Sequence, residues 1–257
     1  MANGSLVKIV KIFYKYIFRQ FKDEEILKML MNEYVKQFIL LKKDFFFIQI
    51  GSNNGKNNDP LFDLVNKYGI KGILIEPVPY IYDKLKENYK KNDGLIFENV
   101  AIGQPNEGLK FYRLKKSENT DIPFWYDQLG SFNKEVILKH KDHIPNMEEL
   151  LIEEPVEVRS FEYLIKKHNV GRINLIHIDT EGYDYEVIKL INFDEVAIDV
   201  ILFENNHLSA ADYAACIELL RKNKFNEIVK LGHDTMCIHE NQKDFLPVMN
   251  KVLKYRK

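Results

Sequence analysis

Cysteine is scarce in this sequence. Cys216 and Cys237 are the only two, far apart and outside any C-x-x-C pair, which excludes a disulfide framework and the common cysteine zinc sites; a reducing, cytoplasmic setting is expected. Charge of one sign is lacking too: 37 basic against 38 acidic side chains leave a net charge of −1, which argues against a nucleic-acid binder driven by phosphate neutralisation. Lys8, Lys11 and Lys15 interrupt the N-terminal apolar run before it reaches the length of a secretory core or a membrane span, so neither a signal peptide nor a transmembrane helix is expected. What is abundant forms cores. Hydrophobic residues make up 46% of the chain, with 17 Phe and 14 Tyr, which excludes disorder and collagen-like structure. A length of 257 residues suits one α/β domain with additions.

The cations Lys8, Lys11, Lys15, Arg19 and Lys22 fall on one helical stripe over 6–22, and the residues between them are apolar or aromatic except Gln20. Such a helix can lie on an anionic membrane surface, but packing on the protein body or in a homodimer is the preferred expectation. A second helix over 23–42 follows from Ile26, Leu27, Leu30, Tyr34, Phe38 and Leu41, giving an N-terminal helical extension, 1–42, before a domain at 43–257. From residue 45, short apolar runs alternate with helical segments, the signature of a parallel sheet covered on both faces. The runs at 45–50, 72–76, 95–101, 173–179 and 197–204 read as strands, with helices at about 60–68 and 79–89. Residues 225–231 and 235–239 read as a terminal pair around a Gly232-His233-Asp234 turn. Residues 105–150, with three prolines and weak periodicity, read as a loop-rich insertion holding one helix at 133–140, of the kind that builds lids and acceptor pockets.

Three constellations carry chemistry. The first strand runs into Gly51-Ser52-Asn53-Asn54-Gly55, and the second ends at Glu76, 21 residues past Gly55. A glycine-bearing loop followed by a strand-end carboxylate is the arrangement that holds a nucleoside, the acid taking ribose hydroxyls; a structural turn is the alternative. Positions 51, 53 and 56 are Gly, Asn and Lys, so the G-x-G-x-x-G pyrophosphate cradle is missing. S-adenosylmethionine needs no such cradle. Ser52, Asn53 and Asn54 suit its amino-acid end, and Asn99-Val100-Ala101 offers an adenine edge. The second constellation is Asp179-Thr180-Glu181 at a strand end, read as functional, with Asp184 and Glu186 assigned to a helix N-terminus and His177 to the sheet packing. In the third, Glu204, Asn205, Asn206 and His207 follow four apolar residues. Glu204 and His207 suit a general base or a cation ligand, and Ser209 caps the next helix.

The segments FFFIQIGSNNG at 45–55, KGILIEPVPYIYDKLKENY at 71–89, FENVAIG at 97–103, LGSFNKEVILKH at 129–140 and INLIHIDTEGYDYEVIK at 173–189 resemble the FkbM-like S-adenosylmethionine-dependent methyltransferases, in order and spacing across 45–240. The resemblance implies an α/β, class I methyltransferase (Rossmann-like) fold: a seven-stranded, mostly parallel sheet with helices on both faces, here preceded by N-terminal helices. It implies methyl transfer to an oxygen, with a sugar hydroxyl of a nucleotide sugar or of a bacterial capsular or lipopolysaccharide precursor as the expected acceptor. Carried onto this chain, Gly51, Ser52, Asn53 and Gly55 match the cofactor loop, Glu76 and Pro77 the ribose acid and its neighbour, and Asn99, Val100 and Ala101 the adenine edge. Two positions depart from the pattern: Gln49 stands where an acid is usual, and Ser52 where alanine is common.

Methyl transfer to an alcohol requires alignment and proton removal, and the base candidates are His207, Asp179 and Glu204, with Glu181 beside them. Asp179 also belongs to the cofactor side. A Mg²⁺ or Mn²⁺ ion held by Asp179, Glu204 and Asn205 is an alternative that is not favoured, because two carboxylates and an amide are a thin ligand set. Competing readings are a nicotinamide-dependent nucleotide-sugar dehydrogenase, for which Tyr163 and Lys167 have the catalytic spacing, and a non-catalytic interaction protein on a degenerate fold. Phe124, Trp125 and Tyr126 read either as a sugar platform or as packing for the insertion, with packing preferred.

Overall fold

The computed structural model describes residues 21–42, 44–105, 108–117, 121–123 and 125–256. The cationic helix expected over 6–22 therefore lies outside the described residues except for its last two, and so does Phe124.

Helix α1 (Asp23–Lys42) opens the described chain. It is followed by β1 (Phe46–Ile50), α2 (Phe62–Tyr68), β2 (Lys71–Ile75), α3 (Pro79–Asn88) and β3 (Leu95–Glu98). A short strand β4 (Ala101–Ile102) leads to the insertion, which contains β5 (Phe111–Leu114), β6 (Gly130–Ser131), α4 (Lys134–Leu138), α5 (Met147–Leu150) and β7 (Leu151–Glu154). The chain returns through β8 (Val158–Arg159), α6 (Phe161–Lys167), β9 (Arg172–Ile178), α7 (Asp184–Lys189), β10 (Ala197–Glu204) and α8 (Ala210–Lys222). It ends in β11 (Phe225–Leu231), β12 (Asp234–His239) and α9 (Leu246–Leu253).

Seven strands form one sheet in the order β11-β12-β10-β9-β1-β2-β3. The pairs among β10, β9, β1, β2 and β3 are parallel, and β12 runs antiparallel to both of its neighbours. Strands β1, β9 and β10 are nearly continuous runs of buried Ile, Leu, Val and Phe because both faces of the sheet are covered. On one face Leu74, Leu175, Val200 and Met236 pack against Ile26, Leu30 and Tyr34 of α1 and Met249 of α9. On the other, Ile48, Ile73, Ile176 and Ile201 meet Leu164 of α6, Val187 of α7 and Leu220 of α8. Helix α1 is thus built into the core, where the Tyr34 hydroxyl donates to the Asn174 carbonyl at 3.0 Å. Cys216 and Cys237 are buried free thiols in the second layer.

Two expectations change. The third strand does not run unbroken over 95–101: it stops at Glu98, and β4 instead pairs with β8, because Asn99 turns the chain so that its amide donates to the carbonyls of Glu76 and Pro77 at 2.8 and 3.0 Å. The insertion is more ordered than its prolines suggest, with a three-stranded sheet β6-β5-β7 over its own small core of Leu114, Ile122, Ile137, Ile144 and Met147. Among the described residues no helix is long and apolar enough to cross a membrane.

Candidate active site

The strand order reverses between β9 and β1, and the carboxyl ends of strands at such a point form the binding crevice of open α/β sheets. The loop after β1 is held there by backbone geometry. Gly51 adopts φ +79°, and a Cβ on it would lie 1.7 Å from the Asp179 carbonyl oxygen, so no other residue fits between the ends of β1 and β9. The amides of Gly51 and Ser52 both donate to the Ile75 carbonyl, at 3.1 and 2.9 Å. The Ser52 hydroxyl donates to the Gln49 carbonyl and accepts from the Ile75 amide, each at 3.1 Å, which makes it a brace between β1 and β2. Gly55 serves the packing below the loop: its missing Cβ leaves room for Leu85 and Tyr89.

A cleft of about 210 Å³ opens from this loop. Glu76 lines it as a buried carboxylate, accepting from the Asn53 amide through Oε2 and from the Val78 amide through Oε1, both at 2.9 Å. Burial pushes its pKa up to about 7 against the pull of those two donors. Gln49, 2% exposed, donates from Nε2 to Asp59 Oδ2 and to His177 Nδ1, both at 3.1 Å, while its Oε1 is buried with no partner. Burial raises Asp59 to about 6 and lowers His177 to about 4, which keeps this imidazole neutral at physiological pH. The far wall of the cleft is apolar, formed by Val78, Ile81, Phe111 and Leu129, the last two from the insertion.

Beyond Asp179 a second, larger basin of about 500 Å³ begins, lined by Lys22, Glu24, Lys28, Glu204, His233 and Asp234. His177 and Asp179 line both spaces. His177, 4% exposed, is held in the sheet as its place in an apolar strand suggests, paired in register with Gln49 across the β1–β9 ladder and hydrogen-bonded to it, and it borders both spaces as well. Asp179 is exposed to the cleft, and the protein atoms crowded around it, then the charges of Glu181 and Asp184, push its pKa upward. Burial, then Asp179 and Glu181, push Glu204 up to about 10. Asp184, fully buried, accepts from the Thr180 hydroxyl at 3.0 Å and the Glu204 amide at 3.2 Å, tying β9 to β10, and Glu186 pairs with Lys189 at 2.6 Å. The Asn205 amide nitrogen donates to Thr235 Oγ1 at 3.1 Å, and Asn205 lines neither the cleft nor the basin, apart from Asp179 and Glu204. Ser209 does cap α8, accepting from the Asp212 amide.

Glu181 and His207 lie together, Nε2 to Oε2 at 3.1 Å, and Glu204 Oε1 is 3.8 Å from the same nitrogen. His140, just past α4, completes the group. Its ring meets Trp125 edge-on at 5.5 Å, so Trp125 is engaged within the insertion, and Tyr126 bonds Ser117 through its hydroxyl.

Of the cofactor residues read from the sequence, Gln49, Gly51, Ser52, Asn53, Glu76, Pro77 and Asp179 thus gather in the main cleft. Val100 and Ala101 line a separate hollow of about 30 Å³ with Pro77, Phe132 and Tyr183, and Asn99 is spent on bracing the loop after β2. Tyr163 and Lys167 sit on α6 and line neither space, with Lys167 paired to Glu98 at 2.7 Å. Sequence reasoning missed Asp59, His140, Phe111 and Leu129. Asp59 carried one signal, a carboxylate just before the Pro60 that opens a helical segment; Leu129 and His140 bound the family-like segment 129–140, which did not show what they face, and Phe111 carried none, because tertiary packing alone brings it to the cleft.

The mostly parallel sheet thus carries a carboxylate-lined crevice at its switch point. The chain belongs to the methyltransferase FkbM domain family, whose sequence profile matches residues 49–230. Solved structures similar in fold include a human methyltransferase 10 domain containing protein, at 10% identity and TM-score 0.45, covering 82% of this chain and 80% of that one. Precorrin-6y C5,15-methyltransferase from Geobacter metallireducens GS-15 is similar at 12% identity and TM-score 0.39, covering 80% and 85%. A ribosomal protein L11 methylase from Lactobacillus delbrueckii subsp. bulgaricus is similar at 10% identity and TM-score 0.39, covering 82% and 74%. No curated protein matches the chain.

Proposed function

We propose that this methyltransferase uses S-adenosylmethionine to methylate a hydroxyl oxygen of a sugar, in a nucleotide sugar or a surface-glycan precursor. The observation that carries the reading is that the cofactor-type cleft and the polar basin meet at Asp179.

The cleft's residues fit this cofactor. The buried, partnerless Gln49 Oε1 needs a donor, which an ammonium group provides, and Asp59 beside it restores the negative charge that the first strand lacks. Glu76 is fixed by two backbone amides and accepts from ribose hydroxyls. Val78, Ile81, Phe111 and Leu129 form an apolar wall for a flat base, in place of the water-sized hollow at Val100 and Ala101. The concentration of carboxylates favours a cationic ligand and opposes a pyrophosphate, which speaks against the dehydrogenase reading. When bound, the cofactor supplies an electrophilic methyl group on a sulfonium.

The protein's part is to orient the acceptor and take its proton. The basin presents both signs of charge, from Lys22 and Lys28 to Glu24 and Asp234, as suits a polyhydroxylated acceptor that can also carry phosphate. Asp179 is the acid that borders both ligands; the positive charge of a sulfonium in the cleft favours its ionised form, which receives the hydroxyl proton.

Incubation with labelled S-adenosylmethionine and a panel of nucleotide sugars and lipopolysaccharide or capsular precursors tests the reading. O-methylated sugar is expected, with Asp179→Asn lowering turnover about 10²-fold or more. Transfer to nitrogen or carbon only, or full turnover by Asp179→Asn, would overturn it.

A further inference from the structure

His140, Glu181 and His207 come from three separate segments: the end of the insertion helix α4, the loop after β9 and the loop after β10. One ligand atom from each lies within 4.8 Å of the others. Glu181 holds a positive φ of 51°, a backbone that a non-glycine residue adopts at a cost, and the Ser131 hydroxyl of β6 fixes its carbonyl at 2.7 Å. The His207 side chain is 7% exposed.

Two buried atoms here lack partners. His140 Nε2 bonds to nothing in the protein, and neither does Glu204 Oε2. Buried polar atoms are ordinarily satisfied, so an imidazole nitrogen left without a partner in a His–Glu–His group, beside a carboxylate whose other oxygen is 3.8 Å from His207 Nε2, signals a missing ligand. A cation takes electron pairs from imidazole nitrogen and carboxylate oxygen alike, and its charge would hold Glu204 ionised.

We infer that His140, Glu181 and His207 bind one divalent first-row transition metal ion of the zinc type, with Glu204 beside the site through Oε1, 3.8 Å from His207 Nε2. Two imidazoles and a carboxylate suit Zn²⁺ or a neighbouring ion and do not suit Mg²⁺ or Ca²⁺, which take oxygen ligands. Ligand atoms about 2.1 Å from a tetrahedral ion are roughly 3.4 Å apart; His207 Nε2 stands 3.1 Å from Glu181 Oε2, and the ligand atoms of all three residues lie within 4.8 Å of one another, so a small closure brings them onto one ion. Trp125, edge-on to His140, and the His140–His207 ring contact at 6.0 Å hold the rings on one side of the space. The site staples the insertion to the sheet. Glu181 lines the cofactor cleft and Glu204 the basin, so, resting on the function proposed above, the ion would also hold an acceptor oxygen.

The full chain is stripped with a chelator and dialysed against Zn²⁺, and separately titrated with Co²⁺ while the visible spectrum is followed. One Zn²⁺ per chain and the absorption bands of low-coordinate Co²⁺ are expected, with affinity falling at least a hundredfold in His140→Ala and in the double variant with His207→Ala. X-ray absorption of the Zn²⁺-loaded wild type needs no variant: a shell of imidazole nitrogen and oxygen at ~2.0–2.1 Å is expected. No stoichiometric binding, unchanged binding by the double variant, or a shell of oxygen or sulfur alone would overturn the inference. S-adenosylhomocysteine titrated into the stripped protein separates the two claims: its failure to bind strikes the cofactor reading, and failure of Zn²⁺ to bind strikes this one.

Discussion

Gln49 on β1 and Asp59 ahead of α2 are joined by a 3.1 Å hydrogen bond, and both line the main cleft. A carboxyl that the first strand does not carry is supplied from ten residues downstream, and the same Gln49 nitrogen also donates to His177. Asp59→Asn should therefore weaken S-adenosylhomocysteine binding about tenfold, the scale of one charge-assisted hydrogen bond. Calorimetric titration checks this; an unchanged Kd would separate Asp59 from the ligand.

Gly51→Ala should not give a native protein. The added methyl would meet the Asp179 carbonyl at 1.7 Å, in backbone that disfavours any side chain, and neither strand end can retreat without breaking the sheet. A loss of more than about 3 kcal/mol is expected, read as aggregation or a large fall in melting temperature. A variant that melts with the wild type would mean the ends of β1 and β9 stand farther apart.

Glu76 links stability to pH. Its folded-state pKa is raised to about 7 from an ordinary 4.5, so its contribution to stability is fully present below about pH 4.5 and is lost as pH climbs to 7. The melting temperature of Glu76→Gln, minus that of the wild type, should rise between pH 4.5 and 7 and stay level above. Cofactor affinity should run the other way: the carboxylate accepts ribose hydroxyls, so wild-type binding strengthens from pH 6 to 8. Glu76→Gln should lack that rise, and parallel pH profiles for the two proteins would refute the assignment.

Asn99 braces the loop after β2 through two carbonyls. Asn99→Ala should cost about 1 to 2 kcal/mol in denaturant unfolding and reduce S-adenosylhomocysteine affinity less than Asp59→Asn does. The reverse order would return Asn99 to the cofactor.

The sheet was legible because its strands are the longest apolar runs in the chain, and a strand buried on both faces cannot look otherwise. Gly51 and Glu76 were legible for a related reason: each stands directly at a strand end, where a glycine or an acid has little other purpose. His177 was legible as a buried, satisfied histidine but not as a cleft neighbour, because the same burial that marks β9 as a strand hides which of its residues also border a cleft. His140, Glu181 and His207 lie far apart along the chain, and their meeting depends on how the insertion folds back over the β9 and β10 loops. No periodicity encodes that return. The insertion's order was obscured because its strands are only two to four residues long and its prolines read as loop.

The central claim is that the cleft at the β1–β9 switch point holds S-adenosylmethionine. Calorimetric titration of the purified protein with S-adenosylhomocysteine, and separately with NADH, tests it most directly. Saturable binding of S-adenosylhomocysteine, abolished or strongly weakened by Glu76→Ala, with no heat from NADH, is the predicted result. Binding of NADH in its place, or S-adenosylhomocysteine binding indifferent to Glu76, would contradict the account.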